Sequence, residues 1–229
     1  MKPLTCMYQA SDADLATLIR QRLEKVFVQR TFSDGHLLWK EGEMHGLLVD
    51  LLEGRVKIFR LLPEGRAVTV YLFGPGDLFG FMPIFDETPY PVYAQALGPI
   101  TVRTVSPEHL ISAVRQDPDL ALLLLRQLSR RLREAFSQIE ILSTRGVLLR
   151  VAIAMSSLIP QGHVATDAIL TLPVASHEFA GLYGLTPESF SRGITQLVEA
   201  GILHRIETRK FQLRKPDALQ ALVRGDFAI

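Results

Sequence analysis

The stretch SHEFAGLYGLTPESFSRGITQLVEAGIL, residues 176–203, decides the fold of this chain. Ser176 is a favourable N-cap residue for a first helix, which Gly184 can end. Thr186 can cap a second helix, with Pro187 at its first helical position. The pattern therefore predicts two short helices that are joined by a tight turn.

A helix-turn-helix also requires particular residue types where its helices cross and turn, and this stretch contains them. The helices cross on apolar side chains, the first helix needs a small residue at the crossing, and the turn needs a residue that tolerates positive φ. Ala180 supplies the small residue and Gly184 the turn. The apolar positions are Phe179, Tyr183, Leu185, Phe190 and Ile194. Seven positions in one frame predict a DNA-binding helix-turn-helix.

The second helix carries side chains that its packing does not require: Pro187, Glu188, Ser189, Ser191, Arg192 and Thr195. They lie near its N-terminal end, the part of a recognition helix that enters the major groove. Arg192 can donate two hydrogen bonds to guanine, and Glu188 can accept one from cytosine. The alternative is a solvated helix face with an ion pair between these two residues.

The residues after the second helix, 202–213, alternate in polarity around Glu207-Thr208-Arg209-Lys210. This alternation predicts a two-stranded wing whose basic tip contacts phosphates through Arg209 and Lys210. A solvated turn is the alternative.

A long helix is predicted upstream, because residues 107–145 lack glycine and are rich in leucine, arginine and alanine. Asp117 suits its N-cap and Pro118 its first position. Apolar residues then recur at spacings of three and four: Leu125, Leu128, Leu132, Ala135, Ile139 and Leu142. This seam predicts a homodimer, and a helix packed on its own core is the alternative.

The N-terminal part, from about residue 25 to residue 105, consists of short apolar segments separated by glycine. The predicted strands are residues 36–39, 47–52, 55–60, 67–73, 93–96 and 100–105. Pro63-Glu64-Gly65 is expected to form a hairpin turn. The pattern predicts an antiparallel barrel or jelly roll, and hence an α+β chain. Asp50 in its apolar strand either faces outward or is a buried carboxylate.

Composition narrows the classes of function. The 229 residues carry 25 Lys and Arg against 24 Asp and Glu, a formal net charge of +1, so any nucleic-acid site must be local. The single cysteine, Cys6, excludes a disulfide framework, a cysteine-rich zinc site and an iron–sulfur cluster held by one chain. Six scattered histidines argue against a metal-dependent cupin enzyme. With no long apolar run and no signal segment, we expect a soluble, cytoplasmic protein without a membrane partner.

Together these features resemble regulators of the CRP/FNR superfamily over essentially the whole chain. The resemblance is carried by Gly35, Gly42, Gly54 and Gly76-Asp77 for the β-roll sensor domain, residues 117–142 for the dimerisation helix, and residues 185–192 for the recognition helix. It implies a β-roll sensor in residues 1–116, a dimerisation helix and hinge in 117–145, and a winged helix-turn-helix in 146–229. It also implies a homodimer that binds a palindromic DNA operator and contacts RNA polymerase.

The pattern Glu188-x-x-Ser191-Arg192 is similar to the branch that reads TTGAT-type half-sites. By that resemblance Arg192 contacts the guanine, Glu188 the base opposite, and Ser191 a thymine or a nearby phosphate. The residues expected to contact DNA are then Ser176, Thr186, Glu188, Ser189, Ser191, Arg192, Arg209 and Lys210.

The effector differs from that of cyclic-AMP-binding members. No arginine lies between Arg66 and Arg103, and Phe81 stands where those members have a polar group, so cyclic AMP is not expected.

Residues 54–65, 84–89 and 186–192 are similar to the nitric-oxide-responsive, dissimilatory-nitrate-respiration branch, which implies haem as cofactor. The pocket would be lined by Phe73, Leu78, Phe81, Met82 and Phe136. Its axial ligand would come from His36, His45, His109 or Met82. A non-haem effector and a sensor without any effector are the alternatives.

Overall fold

The computed structural model describes residues 13–159 and 166–226. The described chain forms two compact units that divide between Leu132 and Arg133, within one long helix. Cys6 lies outside the described residues.

The N-terminal unit contains six strands and the helices around them. Its elements are α1 (Ala13–Leu23), β1 (Val28–Phe32), β2 (Leu37–Trp39), β3 (Leu48–Leu61), β4 (Ala67–Phe73), β5 (Leu78–Phe79), α2 (Met82–Asp86), β6 (Tyr93–Val105), α3 (Pro107–Gln116) and the first half of α4 (Pro118–Ser143). The strands pair antiparallel in the order β1-β6-β3-β4, with β2 also on β6 and β5 on β3. The antiparallel sheet expected from the sequence is confirmed.

Two of the predicted strand breaks are wrong. Segments 47–52 and 55–60 form the single strand β3, and segments 93–96 and 100–105 form the single strand β6. Gly54 lies inside β3 with a φ of 83° where the register shifts, and a Cβ there would lie 2.4 Å from the carbonyl oxygen of Pro99. The glycine therefore permits a bulge and a close backbone approach within a strand.

The predicted hairpin is confirmed. β3 and β4 pair up to Leu61 opposite Ala67, and Gly65 has a φ of 81° in the turn between them. The amide of Leu62 donates to the carbonyl of Arg66 across the turn, at 2.9 Å.

The N-terminal unit has two apolar clusters. The first contains only sheet residues and their loops, with Trp39 stacked on Tyr90 at 4.2 Å between ring centroids. The Tyr90 hydroxyl donates to the carbonyl of Gly80 at 2.6 Å and accepts from the amide of Leu47 at 3.0 Å. The second cluster joins the sheet to α1, α3 and α4 through residues such as Leu110. The helices therefore share a core with the sheet.

Asp50 is completely buried, so the expectation that it faces outward is wrong. Its carboxylate accepts from Arg20 of α1 at 2.8 Å and from Arg103 of β6 at 2.8 Å. A buried carboxylate is stable when it is paired and hydrogen-bonded, and two guanidinium groups meet that need here. The pairing joins α1, β3 and β6 at one point.

A second ion pair attaches α4 to the sheet. Arg131 donates to the carboxylate of Asp77 at 2.7 Å, and its guanidinium lies over the ring of Phe73 at 4.9 Å from the centroid. Asp77 also accepts from the amide of Gly74 at 2.8 Å, which fixes the Gly-Pro-Gly-Asp turn. One turn earlier on α4, the buried Gln127 donates to the carbonyl of Leu78 at 3.4 Å.

The C-terminal unit contains the end of α4 and a compact set of helices and strands. Its further elements are α5 (Val147–Ser156), β7 (Ile169–Thr171), α6 (Ser176–Leu182), α7 (Pro187–Glu199), β8 (Leu203–Glu207), β9 (Lys210–Leu213) and α8 (Pro216–Arg224). The three strands form an antiparallel sheet in the order β7-β9-β8.

We expect Asp50→Ala to lower the free energy of unfolding of the N-terminal unit by about 3 kcal/mol or more, because it leaves two half-buried guanidinium groups without their shared carboxylate. Urea unfolding followed by circular dichroism measures the change. Glu64→Ala is the control, since its ion pair with Arg66 is exposed and 3.8 Å long, and it should cost under about 0.5 kcal/mol. Equal losses for the two variants would contradict a structural role for the buried pair.

Candidate nucleic-acid interface

The first helix of the predicted motif is present as α6, but Ser176 is not its N-cap. Ala175 occupies the N-cap position without a side-chain cap, and the amide of Phe179 bonds to its carbonyl at 3.0 Å. Ser176 is the first helical residue instead, and it is half-buried. The prediction of a serine cap is wrong because an extended Ala175 supplies the carbonyl that starts the helix.

The turn between α6 and α7 is formed by Gly184, which has a φ of 60°. The carbonyls that end α6 receive hydrogen bonds from two other helices. Arg150 of α5 donates to the carbonyls of Tyr183 and Gly184 at 3.2 and 2.9 Å, and Gln138 of α4 donates to that of Leu182. Cationic donors stabilise the C-terminal end of a helix, so Arg150 fixes the end of α6 and the turn together.

The crossing of α6 and α7 has the predicted composition. Phe179 contacts Phe190 edge to face at 5.9 Å between centroids, and Ala180 is completely buried beside them. On the side of α7 toward α5, Gly193 lies so close that an added Cβ would be 2.6 Å from Val151. These contacts confirm the helix-turn-helix.

The start of α7 is capped as predicted. The hydroxyl of Thr186 accepts from the amide of Ser189 at 3.2 Å, and Pro187 is the first helical residue. The pKa of Glu188 lies below its ordinary value, chiefly because its carboxylate accepts from its own backbone amide, with smaller contributions from the Thr186 hydroxyl and the charge of Arg192. Glu188 is therefore an ionised hydrogen-bond acceptor at neutral pH.

The exposed face of α7 forms one continuous surface, which is lined by Pro187, Glu188, Ser191, Arg192, Thr195 and Gln196. Ser189 does not belong to it, because this residue is half-buried and its hydroxyl bonds to that of Thr186 at 3.1 Å. Gln196 does belong to it and was missed from the sequence. Its spacing of four residues from Arg192 was the signal that could have found it.

The predicted wing is confirmed as β8 and β9, which pair antiparallel with Glu207 opposite Lys210. Lys210 donates to the carboxylate of Glu207 at 3.1 Å, whereas Arg209 is exposed at the tip. The backbone carbonyl of Arg209 accepts from the amide of Leu172 at 2.9 Å, which holds the tip against the end of β7.

Five of the six positions predicted for the apolar seam on α4 are exposed, namely Leu125, Leu132, Ala135, Ile139 and Leu142. Leu128 is half-buried and packs on the core of the N-terminal unit, and Leu142 lies against Gly184, where a Cβ would be only 2.8 Å from its methyl group. The exposed positions that recur at spacings of three and four are Leu122, Leu125, Ser129, Leu132, Phe136 and Ile139. Ala135 is exposed beside this row. We call these six positions the α4 stripe.

The residues of the N-terminal unit that were expected to line an effector pocket do not form one cluster. Phe73 stacks on Phe79 in the first apolar cluster, whereas Leu78 and Phe81 pack in the second. Met82 is 49% exposed and Phe136, a member of the α4 stripe, is 60% exposed. Within the described residues no group of three His, Cys, Asp or Glu could hold a metal ion.

An antiparallel sensor-type sheet followed by a long helix and a winged helix-turn-helix defines a class of DNA-binding transcription regulators with an effector-binding domain. Residues 29–117 match the cyclic nucleotide-binding domain family, and residues 120–222 match the Crp-like helix-turn-helix domain family. A cyclic AMP receptor protein of Thermus thermophilus is 30% identical over 199 residues, 87% of this chain and 89% of the relative. This chain therefore belongs to the CRP family of transcription regulators.

Solved structures agree with this assignment. FixK2 from Bradyrhizobium japonicum has a TM-score of 0.75 at 26% identity, covering 89% of this chain and 99% of that one. A CooA mutant from Carboxydothermus hydrogenoformans shares the fold, with a TM-score of 0.77 at 21% identity over 97% of this chain and 100% of that one.

Among the helices of the described residues, none has the length and apolarity that crossing a membrane requires.

We expect Gly184→Ala to destabilise the C-terminal unit by about 2 kcal/mol, because a Cβ at positive φ is strained and would also press on Leu142. The free energy of urea unfolding is the measurement. Gly225→Ala is a matched control, since Gly225 ends α8 with a φ of 78° but nothing lies within 4 Å of its Cβ position. Gly225→Ala should lower the free energy of unfolding by about 1 kcal/mol, which is the backbone strain alone. If Gly225→Ala lowers it more than Gly184→Ala does, the packing argument is contradicted.

Proposed function

We propose that the protein is a homodimeric regulator that reads a palindromic DNA operator of TTGAT type through α7. The observation that carries this proposal is the exposed α7 surface, which offers an arginine, an ionised glutamate and a small hydroxyl at the N-terminal half of a recognition helix. Arg192 donates to guanine, Glu188 accepts from the base opposite, and Ser191 contacts a thymine or phosphate.

The wing and the helix ends add contacts to the DNA backbone. Arg209 at the exposed tip is the principal phosphate contact of the wing. Lys210, which is paired with Glu207, is a second and weaker phosphate contact. Ser176 and Thr186 lie at the starts of α6 and α7, where hydroxyls and backbone amides bind phosphate. Ser189 supports the cap of α7 rather than reading a base, because it is half-buried and its hydroxyl accepts from that of Thr186.

The α4 stripe is the surface through which we propose that two copies associate. Five of its six positions are large apolar residues that are between 54% and 60% exposed, and their spacing of three and four is that of a two-stranded coiled coil. Two copies paired along α4 would present two α7 helices related by a two-fold axis, which a palindromic operator requires.

For the N-terminal unit we propose binding of a small, non-haem effector. Haem sensing of nitric oxide, as in the nitrate-respiration branch, is not supported, because Phe73 and Phe81 pack in different clusters and the candidate ligands are exposed or engaged. His36 stacks on Phe32 at 4.3 Å, and His109 is hydrogen-bonded to Ser106. Binding of cyclic AMP is not supported either, because the chain has no arginine between Arg66 and Arg103 to pair with its phosphate.

We also propose that the protein contacts RNA polymerase.

Arg192→Ala is expected to weaken binding to a TTGAT palindrome by at least roughly 30-fold, since a bidentate contact to guanine is worth about 1–3 kcal/mol in each of two half-sites. Fluorescence anisotropy at constant salt measures the affinity, with random-sequence DNA as the reference. Arg224→Ala is the control, because Arg224 lies on α8 and pairs with Asp226. Unchanged operator affinity in a folded Arg192→Ala variant would refute the assignment of α7.

Phe136→Glu is expected to convert the dimer into monomers, because it places a charge within the α4 stripe at one of its two most exposed positions. Sedimentation velocity measures the mass in solution. Val70→Glu is the matched control, since Val70 is an exposed apolar residue of β4 and is 44% accessible. If the Phe136 variant stays dimeric, the stripe is not the dimer interface.

A further inference from the structure

The α7 surface does not end at Arg192. Glu188, Arg192 and Gln196 follow one another at intervals of four residues, and all three are exposed and line the same surface. Residues at this interval lie above one another on a helix, so the three form one row along α7. The proposed function uses the first two members of this row.

The neighbours of Gln196 show where the row stops. The hydroxyl of Thr195 donates to the carbonyl of Ser191 at 3.1 Å, so its donor is used within the helix. Glu199, three residues after Gln196, is exposed and carries a negative charge that DNA phosphates repel. The next position at the interval of four is Ala200, the C-cap of α7, which has no polar side chain, so Gln196 is the last polar member of the row.

The chemistry of Gln196 selects its partner. A primary amide has a donor and an acceptor side by side, and adenine presents the matching pair, N7 and N6–H, in the major groove. A neutral amide gains little from phosphate compared with an arginine or lysine. Four helical residues correspond to a rise of about 6 Å, less than two base-pair steps of about 3.4 Å.

We propose that Gln196 is a third base-reading residue, which forms two hydrogen bonds with the adenine of an A·T pair within two base pairs of the guanine that Arg192 contacts. This proposal rests on the function proposed above. In a TTGAT half-site all four base pairs within that distance are A·T pairs, so an adenine is available at each of them.

The test is a panel of DNA duplexes with two inverted TTGAT half-sites, in which each of these four pairs is changed to G·C or C·G in one half-site. The wild-type chain should lose about 10-fold in affinity at one of the four pairs. Gln196→Ala should lose its sensitivity to that one pair and to no other. It should still prefer guanine at the position that Arg192 contacts. Gln196→Glu should shift its preference at the same pair toward cytosine, because a carboxylate accepts from cytosine N4.

Gln220→Ala on α8 is the matched control, since it removes the same amide outside the α7 surface and should leave the whole profile unchanged. A profile for Gln196→Ala that equals the wild-type profile, or an equal loss at every sequence, would overturn the assignment of Gln196. Failure of the wild-type chain to prefer TTGAT over random DNA would instead overturn the proposed function itself.

Discussion

The buried carboxylate of Asp50 is the point on which the N-terminal unit depends. It pairs with both Arg20 and Arg103, and so joins a helix to two strands that are far apart in the sequence. Arg20 also donates to the carbonyl of Gly76 at 2.7 Å, next to the Asp77 that holds Arg131 of α4. The Asp50 pairs and the Asp77–Arg131 pair are thus linked by a hydrogen bond from Arg20 to the backbone of the turn. The Gly-Pro-Gly-Asp turn therefore bonds to both α1 and α4.

The C-terminal unit is organised around a different constraint, the orientation of α7 by the turn that precedes it. A glycine at positive φ sets the direction of the chain, and the carbonyls around it would be unsatisfied without donors from elsewhere. Arg150 and Gln138 supply those donors from α5 and the end of α4. The orientation of α7 is therefore fixed by three sets of contacts. These are its own N-terminal cap, its aromatic contact with α6, and the hydrogen bonds from Arg150 and Gln138 to the carbonyls before it.

The sequence predicted those features whose causes are local. Thr186, Pro187 and Gly184 act within a few residues of themselves, and the hairpin turn at Gly65 does the same, so the helix-turn-helix and the hairpin were predictable. Asp50 was not, because its partners lie 30 and 53 residues away, and an apolar strand pattern does not reveal which face is buried. For a related reason the sequence alone does not decide whether Leu128 belongs to the exposed face of α4. Leu128 fits two helical faces equally well by spacing, and only its packing on the core decides between them.

Charge is distributed so that affinity and specificity come from different elements. Residues 143–229 carry nine basic and seven acidic residues, a net charge of +2, so attraction to the DNA backbone is modest. On α7 the positive Arg192 is offset by Glu188, whose lowered pKa keeps it ionised at neutral pH. An ionised glutamate in the groove gains from a cytosine amino group and is penalised opposite an acceptor, so it rejects wrong bases as well as favouring the right one. In the proposed complex the cations of the wing, led by Arg209, supply attraction to phosphates without sequence preference. In the proposed complex, removal of charge from the wing would therefore change the salt dependence of binding, whereas changes on α7 would alter which sequence is bound.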